Sequence, residues 1–398
     1  MKNIAVITGT RADYGILYPL LKKMDNSKRI NLKIFVTGMH LSPSFGLTYK
    51  NIVKDGFRIH EKVEMLLSSD SDTGITKSIG LGMIGFADCF SRNDVDMLLV
   101  LGDRYEMYSA VVPAYIARIP VVHLHGGELT EGVIDEGIRH SITKMSYLHF
   151  SSTETYRKRI IQLGEQPNKV YNVGALGIEN IKNIAPISKF DLEKDLEFEI
   201  NDKTFVVTYH PVTLDADTTG KDIICLLKVL DQMKDIRLIF TMPNSDTNGR
   251  IIIEKINEFV EKNKERCMSV VSLGRTRYLS IMNYIGGVIG NSSSGLIEIP
   301  SFGIPTINIG KRQKGRVAPK SVINCAMDEQ ALKDAIIKSL DTTFRYACKG
   351  YSNPYDGEDT SNKILDVLES IEINDEDIMK TFHDIKMDKE NENNIHRG

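Results

Sequence analysis

The sequence predicts an α/β protein built from two Rossmann-like domains that face each other across a cleft. Three observations carry this expectation. Short Val/Ile-rich runs alternate with helical patterns almost throughout, the mark of βαβ units and a parallel sheet. The runs are apolar along their whole length, as strands covered on both faces must be. The pattern then restarts after Glu179–Asp202, a polar and charged stretch that reads as a linker.

In the first half the strand candidates are NIAVIT (3–8), LKIFVT (32–37), VDMLLVL (95–101), PVVHLH (120–125) and VYNVG (170–174). Helices are expected at about 14–25, 74–91, 105–117, 134–145 and 153–163. Pro19 lacks an N–H, so the first of these should kink or start late. The second half repeats the scheme with FVVTYHP (205–211), IRLIFTM (236–242), MSVVSL (268–273), GGVIGN (286–291) and PTINIG (305–310). Its helices are expected near 219–233, 247–263, 276–284, 293–301, 328–340 and 360–372. Beyond Asp377 the chain is polar and is expected to fray. The expected division is 1–178 with most acid–base residues, 179–364 with a phosphate cradle, and 365–398 as C-terminal helix and tail.

A chain of 398 residues with 26% charged and 41% apolar residues holds two or three soluble domains. The net charge of −3 excludes a polyanion-coated surface, so no nucleic-acid partner is expected. Five scattered cysteines without a CxxC exclude a disulfide framework and a zinc ribbon. A reducing cytoplasm fits them. No apolar run approaches the ~20 residues of a membrane span, and the start reads as a strand, not a signal peptide.

Ligands of such sheets bind beyond the carboxyl ends of the strands, so the loops there carry the functional reading. After the first strand, the turn Thr8–Gly15 offers backbone N–H groups and Arg11 to an anion, or is an ordinary turn with a surface arginine. It lacks GxGxxG, so a nicotinamide dinucleotide is not expected.

The stretch Gly102–Lys144 is the densest in polar groups, with Asp103, Glu106, His123, His125, Glu128, Asp135, Glu136, Arg139 and His140. It reads as an acid–base site. Asp103 follows a strand and suits either a helix cap or the cleft. His123 and His125 share a strand face, but no third His or Cys stands at ligand spacing, so no metal is expected. His123 reads as a hydrogen-bonded core imidazole, and His125, nearer the strand end, as the cleft residue. Glu136, Arg139 and His140 lie at i, i+3 and i+4 on one helical face, either a solvated ion-pair face or one bordering packed structure.

In the second half His210, beside Pro211, ends a strand. Gly290-Asn291-Ser292-Ser293-Ser294-Gly295 places hydroxyls and glycines at a helix start, a diphosphate cradle. Glu298, one turn on, suits ribose hydroxyls or is plain helix surface. Arg312, in the run Lys311–Arg316, brings positive charge to the next strand end.

TGTRADYG, VLGDRYE, HLHGGE with the later DE.IRHSITKMS.LH, GNSSSGLIE, NIGKRQKGR and SNPYDGED together resemble the hydrolysing UDP-N-acetylglucosamine 2-epimerases, most closely their bacterial sialic-acid branch. The likeness covers about Asn3 to Ile364. It implies the GT-B-type fold, with a C-terminal helix packed back on the first domain. It implies elimination of UDP from UDP-N-acetylglucosamine to 2-acetamidoglucal, then hydration to N-acetylmannosamine, without a cofactor. The same chemistry on UDP-2,4-diacetamido-2,4,6-trideoxyglucose, a non-hydrolysing epimerase and a GT-B glycosyltransferase are the alternatives. By motif position Asp103, Glu128 and Glu136 are the acid–base set, with Arg139 orienting Glu136 and His210 assisting. Arg11, Gly290, Asn291, Ser292, Ser293, Ser294, Glu298 and Arg312 would hold UDP. His125 stands where many members carry a catalytic Glu. A homodimer or homotetramer is implied.

Overall fold

The computed structural model describes residues 1–67, 69, 71–131, 133–212, 219–243, 249–373 and 378–385. Strands β1 (Lys2–Thr8), β2 (Ile30–Thr37), β3 (Ile59–Val63), β4 (Met97–Leu101), β5 (Val121–Leu124), β6 (Leu148–Ser151) and β7 (Val170–Asn172) form one sheet. Its order is β3-β2-β1-β4-β5-β6-β7, parallel throughout. A second parallel sheet joins β8 (Thr204–Thr208), β9 (Arg237–Thr241), β10 (Cys267–Val270), β11 (Gly287–Gly290), β12 (Thr306–Ile309) and β13 (Val322–Cys325), in the order β10-β9-β8-β11-β12-β13. The chain is thus two parallel-sheet Rossmann-like α/β domains. In each, strand order reverses at one point, between β1 and β4 and between β8 and β11, which opens a crevice at the strand ends. No helix among the described residues is long and apolar enough to cross a membrane.

The apolar runs became central strands because both faces are covered. Ile4, Val6 and Leu99 pack on one side of the first sheet, and Ala5, Ile7 and Leu98 on the other. Three strands were not expected: β3, β6 and β13. β3 and β13 are edge strands with mixed exposure. β6 has only four residues, LHFS, one of them histidine.

The first helix runs Arg11–Asp25, earlier than the pattern suggested. A capping box fixes its start: Thr10 Oγ1 accepts from the Asp13 N–H at 3.2 Å, and the Asp13 carboxylate accepts from the Thr10 N–H at 3.1 Å. Pro19 lies inside the helix without ending it. The Gly15 carbonyl, which Pro19 cannot serve, accepts from Asn180 Nδ2 at 2.7 Å instead.

The polar stretch 179–202 is not an open linker. It forms the end of the helix Leu176–Asn183 and the helix Lys189–Leu196. Leu192, Leu196, Phe198 and Ile200 enter the core under the second sheet, so sparse apolar residues outweigh the surrounding charge. The helix Thr360–Ser370 returns to the first domain, where Ile364 and Leu368 join the core of Ile4, Leu17 and Leu20. Glu179 caps it, accepting from the Ser361 N–H at 2.7 Å and Ser361 Oγ at 2.5 Å.

The tail does not fray at once. Over residues 378–385, Lys380 Nζ meets Glu165 at 2.6 Å and donates to the carbonyls of Lys144 and Ser146, at 2.8 and 2.6 Å. Residues 386–398 lie outside the described ones.

Candidate active site

The N-terminal half of the site is organised by one buried arginine. Arg139, 0% exposed, projects from the helix Asp135–Met145. Its Nε donates to Asp103 Oδ2 at 3.0 Å, and Nη2 contacts the same oxygen. Nη1 donates to Glu136 Oε2 at 2.5 Å and to the Glu128 carbonyl at 2.8 Å, and Nη2 to Thr130 Oγ1 at 2.5 Å. A planar fork of donors is what allows one side chain to gather two carboxylates and a loop. The solvated-face reading of this helix therefore fails at Arg139. Asp103 is not a helix cap either. The cap position before Tyr105–Ile116 is Arg104, without a side-chain cap bond.

These carboxylates are held ionised. Burial pushes Glu136 up, but His140, Arg139 and the Thr130 N–H together bring it down to about 2. Its Oε1 meets His140 Nε2 at 3.0 Å and its Oε2 the Thr130 N–H at 2.6 Å. At Asp103 burial again raises the carboxyl, and Arg139 and Arg316 more than reverse it.

The second element is the pair His125–Glu128. His125 follows β5 with φ 64°, a left-handed conformation uncommon for a residue with a side chain. Its Nδ1 lies 3.0 Å from Glu128 Oε1, which also accepts from Ser152 Oγ at 2.8 Å. Its Nε2 is buried and has no hydrogen-bond partner among the described residues. Glu128 Oε2 is 2.7 Å from Arg316 Nη1, which comes from the other domain. Burial raises Glu128, but Arg316, His125 and Arg139 hold it below the usual carboxylate range. His123 is the core imidazole it was expected to be. Its Nε2 lies 2.8 Å from the Gly102 carbonyl and its Nδ1 3.2 Å from Thr143 Oγ1. A carbonyl only accepts, so Nε2 carries the proton and Nδ1 accepts from the hydroxyl. Burial lowers its pKa to about 3, so the ring stays neutral.

The first glycine turn differs from expectation. Two of its N–H groups, those of Gly9 and Thr10, are taken by Asp13, which accepts from them at 3.0 and 3.1 Å. Burial raises Asp13. The Thr10-x-x-Asp13 capping box was the sequence signal for this. Arg11 reaches across to the C-terminal domain, where a Cβ on Gly274 would lie 2.3 Å from its Nη2. Burial and the neighbouring Arg277 both disfavour its charge.

In the C-terminal domain β11 ends at Gly290, whose φ is 144°. A Cβ there would stand 1.8 Å from the Thr208 carbonyl, so only glycine fits. Asn291 is not an open cradle residue. Its side chain clamps the backbone of His210, accepting from the His210 N–H at 2.7 Å and donating to the His210 carbonyl at 2.8 Å. The helix behind the cradle is a single turn, Ser294–Ile297, so little of the expected helix dipole is available. Ser294 Oγ pairs with Tyr278 OH at 2.7 Å. A small cleft opens there, lined by Thr208, Tyr278, Gly290, Ser292 and Gly295. Glu298 is neither one turn inside a helix nor plain surface. It packs against Gly177, where a Cβ would lie 2.3 Å from its Oε1, and burial raises its carboxyl. Arg312 Nη1 donates to the Asn291 carbonyl at 3.0 Å.

The structure thus brings Asp103, Glu128, Glu136 and Arg139 into one network with His125. Across from them stand His210, the turn 290–294 and Arg312. Arg316, Ser152, Thr130 and Tyr278 were not singled out from sequence. Arg316 belonged to a noted basic run, and only its neighbour Arg312 was selected.

Two facing Rossmann-like domains with polar residues at their strand ends define a GT-B-type fold. The profile of the UDP-N-acetylglucosamine 2-epimerase family matches residues 22–369, and the chain belongs to that family. It is a UDP-sugar 2-epimerase. It is 45% identical, over 82% of its length and 85% of the relative's, to the hydrolysing GDP/UDP-N,N'-diacetylbacillosamine 2-epimerase of Campylobacter jejuni. It is 41% identical to the polysialic acid biosynthesis protein P7 of Escherichia coli, covering 97% and 98% of the two chains. In three dimensions it resembles the Neisseria meningitidis UDP-GlcNAc 2-epimerase bound to UDP-GlcNAc, with a TM-score of 0.77 at 16% identity, covering 92% and 99% of the chains.

Proposed function

We propose that this protein is a hydrolysing 2-epimerase that converts UDP-N-acetylglucosamine to N-acetylmannosamine and UDP, opening sialic acid biosynthesis. The observation that carries the reading is the single network of Asp103, Glu136, Arg139 and the His125–Glu128 pair, facing the turn 290–294 across the cleft. The E. coli polysialic acid relative supports the pathway.

The sugar C2–H has no neighbouring carbonyl to acidify it. Its proton leaves only as the C1–O bond to UDP breaks, and the C2–H electrons form the C1=C2 double bond. Negative charge then grows on the diphosphate and positive charge at C1. Arg11, Arg312 and the hydroxyls of Ser292 and Ser293 meet the first. Arg11 beside Arg277 is a pair of cations that an anion would relieve. Asp103 and Glu136 meet the second, because carboxylates held ionised by Arg139 are stabilisers of positive charge but weak bases. The proton acceptor is then His125, with Nδ1 on Glu128 and Nε2 unpartnered among the described residues. Water adds to C1 of the glucal and a proton returns to C2 on the opposite face. His210 borders the leaving group.

A second reading keeps this chemistry on N,N'-diacetylbacillosamine, the 2,4-diacetamido-2,4,6-trideoxyglucose sugar, for which the Campylobacter relative is named. One assay separates the readings: the full chain in D2O with UDP-N-acetylglucosamine and with UDP- and GDP-linked diacetamido sugar. Free UDP with N-acetylmannosamine deuterated at C2 is the expected result. Turnover confined to a diacetamido sugar reassigns the substrate. An epimerised UDP-sugar with no nucleotide release refutes hydrolysis.

A further inference from the structure

The loop from Lys311 to Val317, after β12, touches both halves of the site. Arg312 Nη1 and Gln313 Nε2 donate to the Asn291 carbonyl at 3.0 and 2.8 Å, so its first part is tied to the cradle. Its last part crosses to the N-terminal domain. Gly315, at φ 85°, lies so close to Leu129 that a Cβ would be 2.7 Å from Leu129 Cδ1. Arg316 Nε donates to the Leu129 carbonyl at 2.9 Å, and Nη1 meets Glu128 Oε2 at 2.7 Å. Both of these side chains are nearly sealed from solvent, 5% and 3% exposed. Beyond them the Val317 N–H donates to Tyr156 OH at 2.9 Å, and the Val317 carbonyl accepts from Tyr355 OH at 2.8 Å.

A carboxylate as deep as Glu128 needs a counter-charge. The titratable and charged groups facing it are Arg316, His125, Arg139, Asp103, Tyr156 and Tyr355. Arg139 also faces the Glu128 charge, but its hydrogen bonds go to the Asp103 and Glu136 carboxylates and to the Glu128 carbonyl, and the tyrosines are neutral. If Arg316 were withdrawn, His125 Nδ1, 3.0 Å from Glu128 Oε1, would among the described residues be the basic group in direct contact with that carboxylate, and a base drawn into balancing it is less able to take a proton from substrate. We infer that Arg316 is a positioning residue that makes proton transfer at the His125–Glu128 pair depend on its contact with the C-terminal domain. Delivered by the C-terminal domain, it balances Glu128 and leaves His125 to the substrate. The same loop grips Asn291, so the cradle and the acid–base pair are set by one element. This rests on the epimerase reading above.

The test compares Arg316→Gln and Arg316→Lys in the full chain. For Arg316→Gln, kcat falls about 100-fold or more, while UDP affinity by calorimetry stays within about threefold. The acid limb of the kcat–pH profile moves to higher pH, because Glu128 loses the charge that kept it ionised. Arg316→Lys restores the charge without the fork and recovers part of kcat. If Arg316 acts through Glu128, adding Arg316→Gln to Glu128→Gln slows the enzyme no further. A Gln variant with near-normal kcat, a loss of UDP affinity matching the loss of kcat, or a fully additive double variant would each overturn the inference. Should Arg316→Gln fail to fold, Arg316→Lys carries the test through its pH limb and its UDP affinity. A wild-type chain that binds UDP but neither releases nucleotide from nor exchanges the C2 proton of any of the three sugars removes the proposed function, and the inference with it.

Discussion

Replacing Arg139 by methionine keeps most of the buried volume and removes the charge that Asp103 and Glu136 share. Glu136 is held at about 2, against an ordinary value of 4.5. Each unit is worth about 1.4 kcal/mol, so the surroundings of this one ionised group contribute about 3 kcal/mol at neutral pH. Arg139 supplies part of that, and Asp103 adds to it. Removing one partner of a buried ion pair costs about 3–5 kcal/mol, so a loss of roughly 4 kcal/mol at pH 7 is expected. For a domain of this size that lowers Tm by on the order of 10 °C.

The sign with pH follows from linkage. Both carboxylates are lowered in the folded wild type, so their contribution is complete above the unfolded values near 4–4.5 and is lost as pH falls towards 2. In the variant buried Asp103 loses its main counter-charge and is raised, while His140 and the Thr130 N–H still hold Glu136 down, so acidification relieves Asp103. The stability gap between the two proteins should therefore narrow steadily from pH 7 to pH 4. The chain has no tryptophan, so urea unfolding followed by far-UV circular dichroism is the suitable assay. A gap below about 1 kcal/mol at pH 7, or one that does not change with pH, would refute the claim that this network is held by charge.

Two further predictions concern histidines. His125→Gly relieves the left-handed backbone, worth about 1–3 kcal/mol, and should hold Tm near the wild-type value while lowering kcat about 100-fold or more; calorimetry showing a large loss of stability would mean the ring is there for packing. His40 and His123 are kept neutral by burial, with pKa values of about 4 and about 3, so folding excludes protons that the unfolded chain binds. They should make the protein lose stability as pH falls below about 6.5, and NMR of both rings should show no titration between pH 5 and 8.

Much of the fold was legible because its signals are local. β1 and β4 announce themselves as unbroken apolar runs, and the loops after them carry the polar groups. Edge strands such as β3 and β13, half-exposed and short, have no such contrast, and β6 hides its histidine by pairing it with buried Glu165 at 3.0 Å. The stretch 179–202 misled because composition suggested a linker, where four apolar side chains suffice to bind it to a core. Within the site, the i, i+3 spacing of Glu136 and Arg139 was readable on one helix. At the turn, Asp13 of the following helix takes the Gly9 and Thr10 N–H groups, a local contact that the glycine pattern does not reveal.

Residue order by itself determined the central strands of the two parallel sheets and the polar residues that follow them, since period and spacing are properties of neighbours in the chain. Tertiary structure alone decided the charge states and the partners. Arg139 became a buried fork between Asp103 and Glu136, and Arg316 of one domain became the counter-ion of Glu128 in the other. Those facts depend on distances of a few ångströms between elements far apart in sequence, and on the low dielectric that burial creates around them.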